Sequence, residues 1–574
     1  MSESWTVQGL LEDYRAGRLD PSDVAAEVIA RCADSDAPVW ITRVADDDLL
    51  TAAAALDSAD RSLPLYGVPF AVKDNFDVAG MPTTAGCPGY AYTPSETAHA
   101  VQLLLDAGAL LVGKTNMDQF ATGLVGTRSP YGVDGSVFDA ARVSGGSSSG
   151  SALAVALGLV TFSLGTDTAG SGRVPAAFNA LVGLKPTRGL ISTRGVVPAC
   201  ASLDCVSVFA STSVDASIVL GVMGSYDEAD PWSRPAEVPM SPRRGLLGVP
   251  MEGQLSFTEP EAEAAWRAAL EHAASRWTLV PVDVSPLLAA APLLYASWVA
   301  ERSADLLEII ESEPEGLDPT VARIVRGGAS LSAVDVFSAA HELARLRREA
   351  APIWSSVDAL LMPTTPGHPT HAAVAADPVG ENEALGRFTN FVNLMDLAAV
   401  AVPAPTRPDG LPFGVSLLAP AFHDHRLLSA GACWAGEPAC VDEPGLVQLA
   451  VFGAHLSGMP LNAQLTDRGA RFVRATSTAP VYRFFALPDG TRPGLMRSED
   501  GAAIACEVWE IPSAGLGELL GLIGAPLGLG RVALEDGSEI TGFICEAGAL
   551  GDAADITEHG GWRMHIATEP APSR

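Results

Sequence analysis

The sequence predicts an α/β fold, in which helices cover a sheet, followed by a small β-rich α+β domain. From about residue 65 to residue 200, short apolar runs alternate with helical segments and Gly-rich turns, which is typical of a sheet with helices on its faces. From about residue 450 the pattern changes to short strand-like runs and hairpin turns. A chain of 574 residues is too long for one hydrophobic core, so we expect one large and one small domain.

The first domain is expected to span residues 1–435. Asp20, Pro21 and Ser22 are typical of a helix start, because Pro is favoured just inside the first turn. Residues 257–350 are rich in Ala, Leu, Glu and Arg and should be mainly helical. Strands are predicted for YGVPFAVKD, LLVGKT, VTFSLGT, VDALLMPTT and AAVAVPAP, and helices for TAHAVQLLLDAGA and SALAVALG.

The second domain is expected at residues 450–568, after a change of composition at residues 435–449 that indicates a linker. Strands and hairpins with one short helix between them are predicted from LAVFGAHLSG, ALPDGTRPGLM, IACEVWEIP and RVALEDGSEITGFICEA. Such a domain has an ordinary size.

Charge and composition narrow the choice of partners. A formal net charge of -32 argues against nucleic acid and anionic membranes, because phosphate binding needs clustered Lys and Arg. An anionic substrate would therefore need a positive group inside its own pocket. The first residues lack the basic start and apolar run of a signal peptide, so we expect a cytoplasmic protein. The eight Cys include no C-x-x-C pair and should be reduced thiols.

The densest pattern is a pair of Gly/Ser-rich turns between Val143 and Gly189. Such turns can hold a phosphate, but neither matches a P-loop or a dinucleotide fingerprint. Acyl transfer fits better, since the segment DTAGS lies between a predicted strand and a helix-like run and places backbone N–H groups at a helix start. Ser171 lies in that turn and is the candidate nucleophile.

A serine hydroxyl needs a base, and no His lies nearby in the sequence. Lys73 ends the strand-like run YGVPFAVK, where burial would lower its pKa and supply a neutral amine. The alternative is a surface ion pair between Lys73 and Asp74. Ser147, in the first Gly/Ser-rich turn, is the candidate proton relay between Lys73 and Ser171.

The Lys73 strand followed by GGSSSGS and GTDTAGSGRVPAA resembles the amidase-signature family over about residues 5–430. The resemblance implies a mixed sheet core covered by helices and amide hydrolysis without metal or organic cofactor. It also implies a triad of a nucleophilic serine, a bridging serine in a cis peptide and a buried lysine, which correspond to Ser171, Ser147 and Lys73. The oxyanion would then be bound by N–H groups of Ser171, Thr168, Ala169 and Gly170, on a turn braced by Asp167 and Arg173.

Several segments resemble the allophanate hydrolase branch of this family. They are GGSSSGS and TAGSGR, where GGSSGGS and TGGSIR are frequent, and the stretch from Asp118 to Gly132. In the branch this stretch forms a pocket wall, so Gly123 would offer backbone contacts to a small planar substrate; a simple loop glycine is the alternative.

The segment LLYASWVAER, which carries Tyr295 and Arg302, also resembles that branch. The resemblance implies that both residues bind allophanate, whose carboxylate a guanidinium can hold through paired hydrogen bonds. For an Arg in a helical, acid-rich stretch, a surface ion pair is the alternative.

The start of the second domain, LAVFGAHLSGMPLN, resembles the C-terminal domain of allophanate hydrolases, which is similar in fold to γ-glutamyl cyclotransferases. The resemblance implies that the first domain releases ammonia from allophanate and that the second assists decarboxylation of the N-carboxycarbamate product, with His455 as candidate acid/base. Alternatively, this domain mainly stabilises an oligomer, and His455 only forms a hydrogen bond within its own loop.

The same resemblance implies a homodimer that acts in urea or s-triazine nitrogen degradation, with a urea carboxylase as candidate partner. Two rival functions stay open on the sequence. One is an amidase of broader specificity, and the other is an amidotransferase-like subunit that works only inside a complex.

Overall fold

A computed structural model of the chain describes residues 5–56, 59–236, 245–437, 446–468, 470–488, 490–551 and 553–568. The described chain folds as two compact units, the first ending at residue 437 and the second beginning at residue 446. None of the helices in these ranges combines the length and the apolar character that a membrane span requires.

The first unit alternates helices and strands along most of its length. Its helices are α1 Val7–Arg15, α2 Pro21–Ala33, α3 Asp46–Leu56, α4 His99–Asp106, α5 Ser149–Ala156, α6 Val174–Phe178, α7 Ser213–Met223, α8 Pro260–Ala274, α9 Ser285–Ala290, α10 Leu293–Ala296, α11 Val299–Glu311, α12 Pro319–Gly328, α13 Ala333–Ser356, α14 His371–Ala376, α15 Gly380–Leu385, α16 Phe391–Leu394 and α17 Asp424–Ala435. Its strands are β1 Trp40–Arg43, β2 Pro69–Lys73, β3 Leu110–Thr115, β4 Gly135–Ser136, β5 Asp139–Val143, β6 Phe162–Asp167, β7 Val182–Lys185, β8 Cys205–Ala210, β9 Leu246–Pro250, β10 Thr278–Val282, β11 Ala359–Pro363, β12 Leu397–Pro403 and β13 Gly414–Pro420.

The central feature of this unit is an 11-stranded mixed sheet in the order β1-β3-β2-β6-β8-β7-β12-β13-β11-β9-β10. Strands β3, β2 and β6 run parallel to each other, whereas β8, β7, β12 and β13 pair antiparallel with their neighbours. Consecutive residues of one strand enter opposite cores: Leu417 of β13 belongs to one apolar cluster and Leu418 to the other. Because side chains alternate across a strand, the sheet is buried on both faces. The predicted α/β fold is confirmed.

The first predicted helix start is confirmed by α2. Pro21 occupies its first turn, and the side chains and backbones of Asp20 and Asp23 form a reciprocal capping box. The stretch from residue 257 to 350 is mainly helical, but the prediction missed β10, which pairs in parallel with β9. Pairing in the sheet overrode the helical bias of the surrounding composition.

The second unit is β-rich, as predicted. Its strands are β14 Leu446–Val451, β15 Arg471–Ser477, β16 Tyr482–Ala486, β17 Pro493–Arg497, β18 Ala505–Pro512, β19 Leu527–Ala533, β20 Glu539–Cys545 and β21 Ala554–Asp555, and its helices are α18 Asn462–Thr466, α19 Ser513–Leu520 and α20 Trp562–Thr568. A five-stranded sheet has the order β15-β18-β14-β20-β19, beside a three-stranded sheet β17-β16-β21. The linker predicted at residues 435–449 lies mostly outside the described residues, and β14 occupies its last part.

Candidate active site

The candidate site lies where three neighbouring parallel strands end. Lys73 ends β2 and pairs in register with Thr115, the last residue of β3, while Val72 pairs with Leu164 of β6. The carboxyl ends of parallel strands meet at one edge of a sheet, which is where α/β folds commonly bind ligands. Lys73, the segment after β3 and the turn after β6 are therefore brought together.

Lys73 is fully buried and faces two hydroxyl groups. Its Nζ lies 2.7 Å from Ser147 Oγ and 2.7 Å from Thr166 Oγ1. The neighbouring carboxylate of Asp74 pairs instead with the buried amine of Lys114, at 3.2 Å. The alternative of a surface pair between Lys73 and Asp74 is therefore wrong, since both side chains are buried and face different partners.

Burial lowers the pKa of the Lys73 amine from 10.5 to about 7, because a charged amine loses its hydration in the interior. The carboxylates of Asp118, Asp204 and Asp167 oppose this shift, and Arg302 adds to it. Near neutral pH a substantial share of Lys73 is thus uncharged and able to accept a proton.

Ser147 lies in the turn between β5 and α5, directly after a cis peptide bond that joins it to Gly146. Its carbonyl accepts a hydrogen bond of 3.0 Å from the N–H of Asp118. The Asp118 carboxylate is buried and accepts the N–H groups of Gly126 and Arg128 at 3.0 and 2.8 Å. These bonds fix the serine turn against the segment that follows β3.

Ser171 lies in the turn between β6 and α6 and is 2% exposed. Its Oγ donates to the carbonyl of Gly123 at 3.4 Å, rather than to Ser147. Within the described ranges, the N–H groups of Ala169, Gly170 and Ser171 donate to no other residue. A turn with unused amides beside a hydroxyl is suited to bind an oxyanion.

Gly170 is required at its place in this turn. Its φ is +152°, and a Cβ there would lie 2.5 Å from Thr389 Oγ1. Any larger residue would push the turn away from Thr389.

Buried ion pairing braces the same turn, as the resemblance implied. Arg173 Nε and Nη2 each donate to the Asp167 carboxylate at 2.9 Å, and both side chains are fully buried. This pairing lowers the pKa of Asp167 despite its burial. The hydroxyl of Thr168 also donates to the buried carboxylate of Asp204.

The three predicted substrate-binding residues converge on the segment after β3. Arg302, on α11, is 4% exposed and donates to the carbonyl of Phe120 at 3.3 Å and to the hydroxyl of Thr122. Tyr295 reaches the same segment through Asn382, whose Nδ2 donates to Tyr295 Oη at 3.3 Å and whose Oδ1 accepts the N–H of Leu124 at 2.7 Å. Arg302 is therefore buried against this segment and does not form the surface ion pair considered as its alternative.

Gly123 lies too close to its neighbours to be replaced by a larger residue. A Cβ there would lie 2.5 Å from Asp118 Oδ2. The predicted role of a close backbone wall therefore fits its surroundings better than that of a freely exchangeable loop glycine.

His455 lies in the second unit, shortly after β14. Its Nε2 is 3.1 Å from Gln464 Oε1, its ring stacks on Phe543, and burial lowers its pKa. His455 lines a cavity that also contains Phe452, Arg492 and Phe543. Near neutral pH this histidine is mostly uncharged, as an initial proton acceptor must be.

Sequence reasoning missed the buried partners of the site. Thr166 contacts Lys73 and could have been noticed as a polar residue at a strand end, two positions before Thr168. Asp204 and Asn382 carry no local signal, because they belong to segments distant in sequence and meet the site only through the fold.

Comparison with known proteins defines the class. Residues 23–428 match the family model "Amidase". The chain therefore belongs to the amidase family and is an amide hydrolase. Residues 447–567 match the "Allophanate hydrolase C-terminal domain", so the resemblance inferred from the motifs is confirmed.

Relatives and solved structures support this assignment. The solved structure of Kluyveromyces lactis allophanate hydrolase is 39% identical in sequence, with a TM-score of 0.76. The match covers 99% of this chain and 100% of the Kluyveromyces lactis chain. Saccharomyces cerevisiae urea amidolyase is 41% identical over 612 residues and covers 99% of this chain, which spans only 33% of the yeast protein. Lachancea kluyveri urea amidolyase is 42% identical over 572 residues, 92% of this chain and 31% of that protein.

Proposed function

We propose that this chain hydrolyses allophanate to ammonia and carbon dioxide in urea or s-triazine nitrogen degradation. The observation that carries the proposal is the fully buried Lys73 amine 2.7 Å from Ser147 Oγ, at the sheet edge that also holds Ser171. The similarity to allophanate hydrolase over nearly the whole chain supports the choice of substrate.

The reaction begins when Ser171 turns from the Gly123 carbonyl and attacks the terminal amide carbon. Neutral Lys73 takes a proton from Ser147, and Ser147 takes the proton of the Ser171 hydroxyl. The amides of Thr168, Ala169, Gly170 and Ser171 stabilise the oxyanion. The proton held by Lys73 returns through Ser147 to the leaving nitrogen, and ammonia departs from an acyl-enzyme.

Water then attacks the acyl-enzyme, and the same Lys73 and Ser147 accept its proton. Hydrolysis frees Ser171 and yields N-carboxycarbamate. The reaction needs no metal or organic cofactor in this proposal, because the base, the nucleophile and the oxyanion donors all belong to the chain.

The carboxylate of allophanate is bound by Arg302, with Tyr295 and the backbone of Gly123 completing the pocket. Support comes from the burial of Arg302 and from its position against Phe120 and Thr122. A buried guanidinium supplies the local positive charge that an anionic substrate requires in a chain of net charge -32.

The division of labour follows the two domains, residues 1–435 and 450–568. The first releases ammonia, and the second assists decarboxylation of N-carboxycarbamate, with His455 as acid/base. The cavity that His455 lines, its uncharged state and the match to the allophanate hydrolase C-terminal domain support this assignment.

We also propose that the enzyme is a cytoplasmic homodimer, with a urea carboxylase as candidate supplier of allophanate. The described cysteines support a reducing compartment, since all are free thiols and all but Cys433 are buried. Cys440 lies outside the described residues. Light scattering of the purified chain tests the dimer, for which a monomer would be the contradicting result.

A substrate panel tests the proposed function. Purified chain is incubated with freshly prepared allophanate, biuret, malonamide and propionamide, and ammonia is measured. We expect kcat/KM for allophanate to exceed the others by at least tenfold. Equal rates would favour an amidase of broader specificity, and absence of turnover by the isolated chain would favour a subunit that works only in a complex.

A further inference from the structure

Asn382 connects two segments that are distant in the sequence. It lies on α15 and is 3% exposed. Its side chain reaches Leu124, in the segment after β3, and Tyr295, on α10. With Arg128, both Asn382 and Tyr295 line one cavity of about 280 Å³.

The hydrogen bonds fix which way the Asn382 amide faces. The N–H of Leu124 can only donate, so the atom 2.7 Å from it must be the amide oxygen. The amide nitrogen then lies 3.3 Å from Tyr295 Oη and donates to it. Tyr295 is thereby an acceptor toward Asn382, and its own proton is free to point to a different acceptor.

The same segment is tied to the catalytic turns. The Leu124 carbonyl accepts the N–H of Gly146, which precedes Ser147, at 2.9 Å. The preceding carbonyl, that of Gly123, accepts the Ser171 hydroxyl at 3.4 Å. The segment that Asn382 contacts is therefore hydrogen-bonded to both turns that carry the proposed catalytic serines.

Taking the proposed function as its basis, we infer that Asn382 is a positioning residue for substrate charge: it turns the Tyr295 hydroxyl proton toward the carboxylate of the substrate. An aspartate at this place would keep the acceptor for Leu124 but would take the Tyr295 proton for itself. A carboxylate substrate would then lose one donor and meet a like charge, whereas a neutral analogue of the same shape would be little affected.

The matched probes are allophanate and biuret. They have the same shape, but allophanate ends in a carboxylate where biuret has a neutral amide. In the full-length chain, Asn382→Asp should raise KM for allophanate at least tenfold and change the inhibition constant of biuret less than twofold. On a Tyr295→Phe background there is no hydroxyl proton to turn and only the like charge acts, so the KM rise should be at least threefold smaller than in the wild-type background.

Tyr295→Phe alone gives the second test and should also raise KM for allophanate selectively. The inference is overturned if Asn382→Asp weakens allophanate and biuret alike, if the KM rise is equal in both backgrounds, or if Tyr295→Phe leaves KM unchanged. Loss of folding in Asn382→Asp would leave Tyr295→Phe to decide. Failure of the wild-type chain to hydrolyse allophanate would instead reject the proposed function.

Discussion

At the scale of single residues, the proposed chemistry depends on the protonation state of Lys73. Its pKa is lowered to about 7 by burial, and only the neutral amine can accept a proton. We therefore expect kcat/KM to fall about tenfold per pH unit below pH 7 and to level off above it. The measurement is a pH profile of ammonia release between pH 5.5 and 9, within the range where the fold is intact. A profile that is flat between pH 6 and 8 would contradict a lysine base.

Arg302 should act on substrate binding more than on chemistry. A hydrogen-bonded charge pair contributes about 1.5–3 kcal/mol, so Arg302→Ala should raise KM for allophanate by about 10–150-fold. Arg302→Lys keeps the charge but not the paired geometry and should give an intermediate value. Inhibition by neutral biuret is the control and should change little. An unchanged KM would remove Arg302 from this role.

The sequence could predict the residues of the site that lie in short motifs, but not their remote partners. Lys73, Ser147 and Ser171 each stand in a recognisable local pattern. Asp204 and Asn382 stand in ordinary loops or helices, and only the fold brings them to Thr168 and Leu124. The identity of Asp74's partner, Lys114, was equally hidden, because parallel pairing of β2 and β3 decides it.

At the scale of elements, apolar runs predicted the strands that carry the site but not their neighbours in the sheet. The runs for β2, β3 and β6 are short, buried and flanked by turns, which makes them recognisable. Their order, with β2 between β3 and β6, results from contacts that are distant in sequence. Strand β10 was missed because composition over a long window indicates helix and averages over a five-residue strand.

The contact between α1 and α7 should depend on pH. Asp215 Oδ1 accepts the N–H of Val7 at 3.0 Å, and burial raises the pKa of Asp215 from 3.8 to about 6. A raised carboxyl pKa contributes stability below pH 4 and loses it as pH rises through 6. An asparagine at position 215 does not titrate. As the pH rises from 4 to 8, the free energy of unfolding of Asp215→Asn relative to that of wild type should therefore increase by up to about 3 kcal/mol.

Calorimetry at both pH values measures this effect as the difference in Tm between Asp215→Asn and wild type. A difference that stays constant with pH would show that Asp215 titrates normally and would contradict the raised pKa.

At the scale of the whole molecule, we propose that the two units divide two consecutive steps between them. His455→Ala should leave the initial rate of ammonia release from allophanate within twofold of wild type, because the residues proposed to cleave the amide lie in the first unit. Carbon dioxide release should lag behind ammonia as N-carboxycarbamate accumulates, which carbon-13 NMR can follow. His559→Ala, in the same unit, is the control. If His455→Ala releases ammonia and carbon dioxide simultaneously, the role of the second unit is structural.

The central claim is that Ser171 attacks the amide, and ammonia release from freshly prepared allophanate by Ser171→Ala tests it most directly. Ser163→Ala is the matched control, since Ser163 is also buried but its hydroxyl donates to a backbone carbonyl, that of Ala71, at 3.0 Å. We predict that Ser171→Ala loses at least about a thousandfold in kcat with an unchanged Tm, while Ser163→Ala remains active. Turnover by folded Ser171→Ala near the wild-type rate would contradict the account.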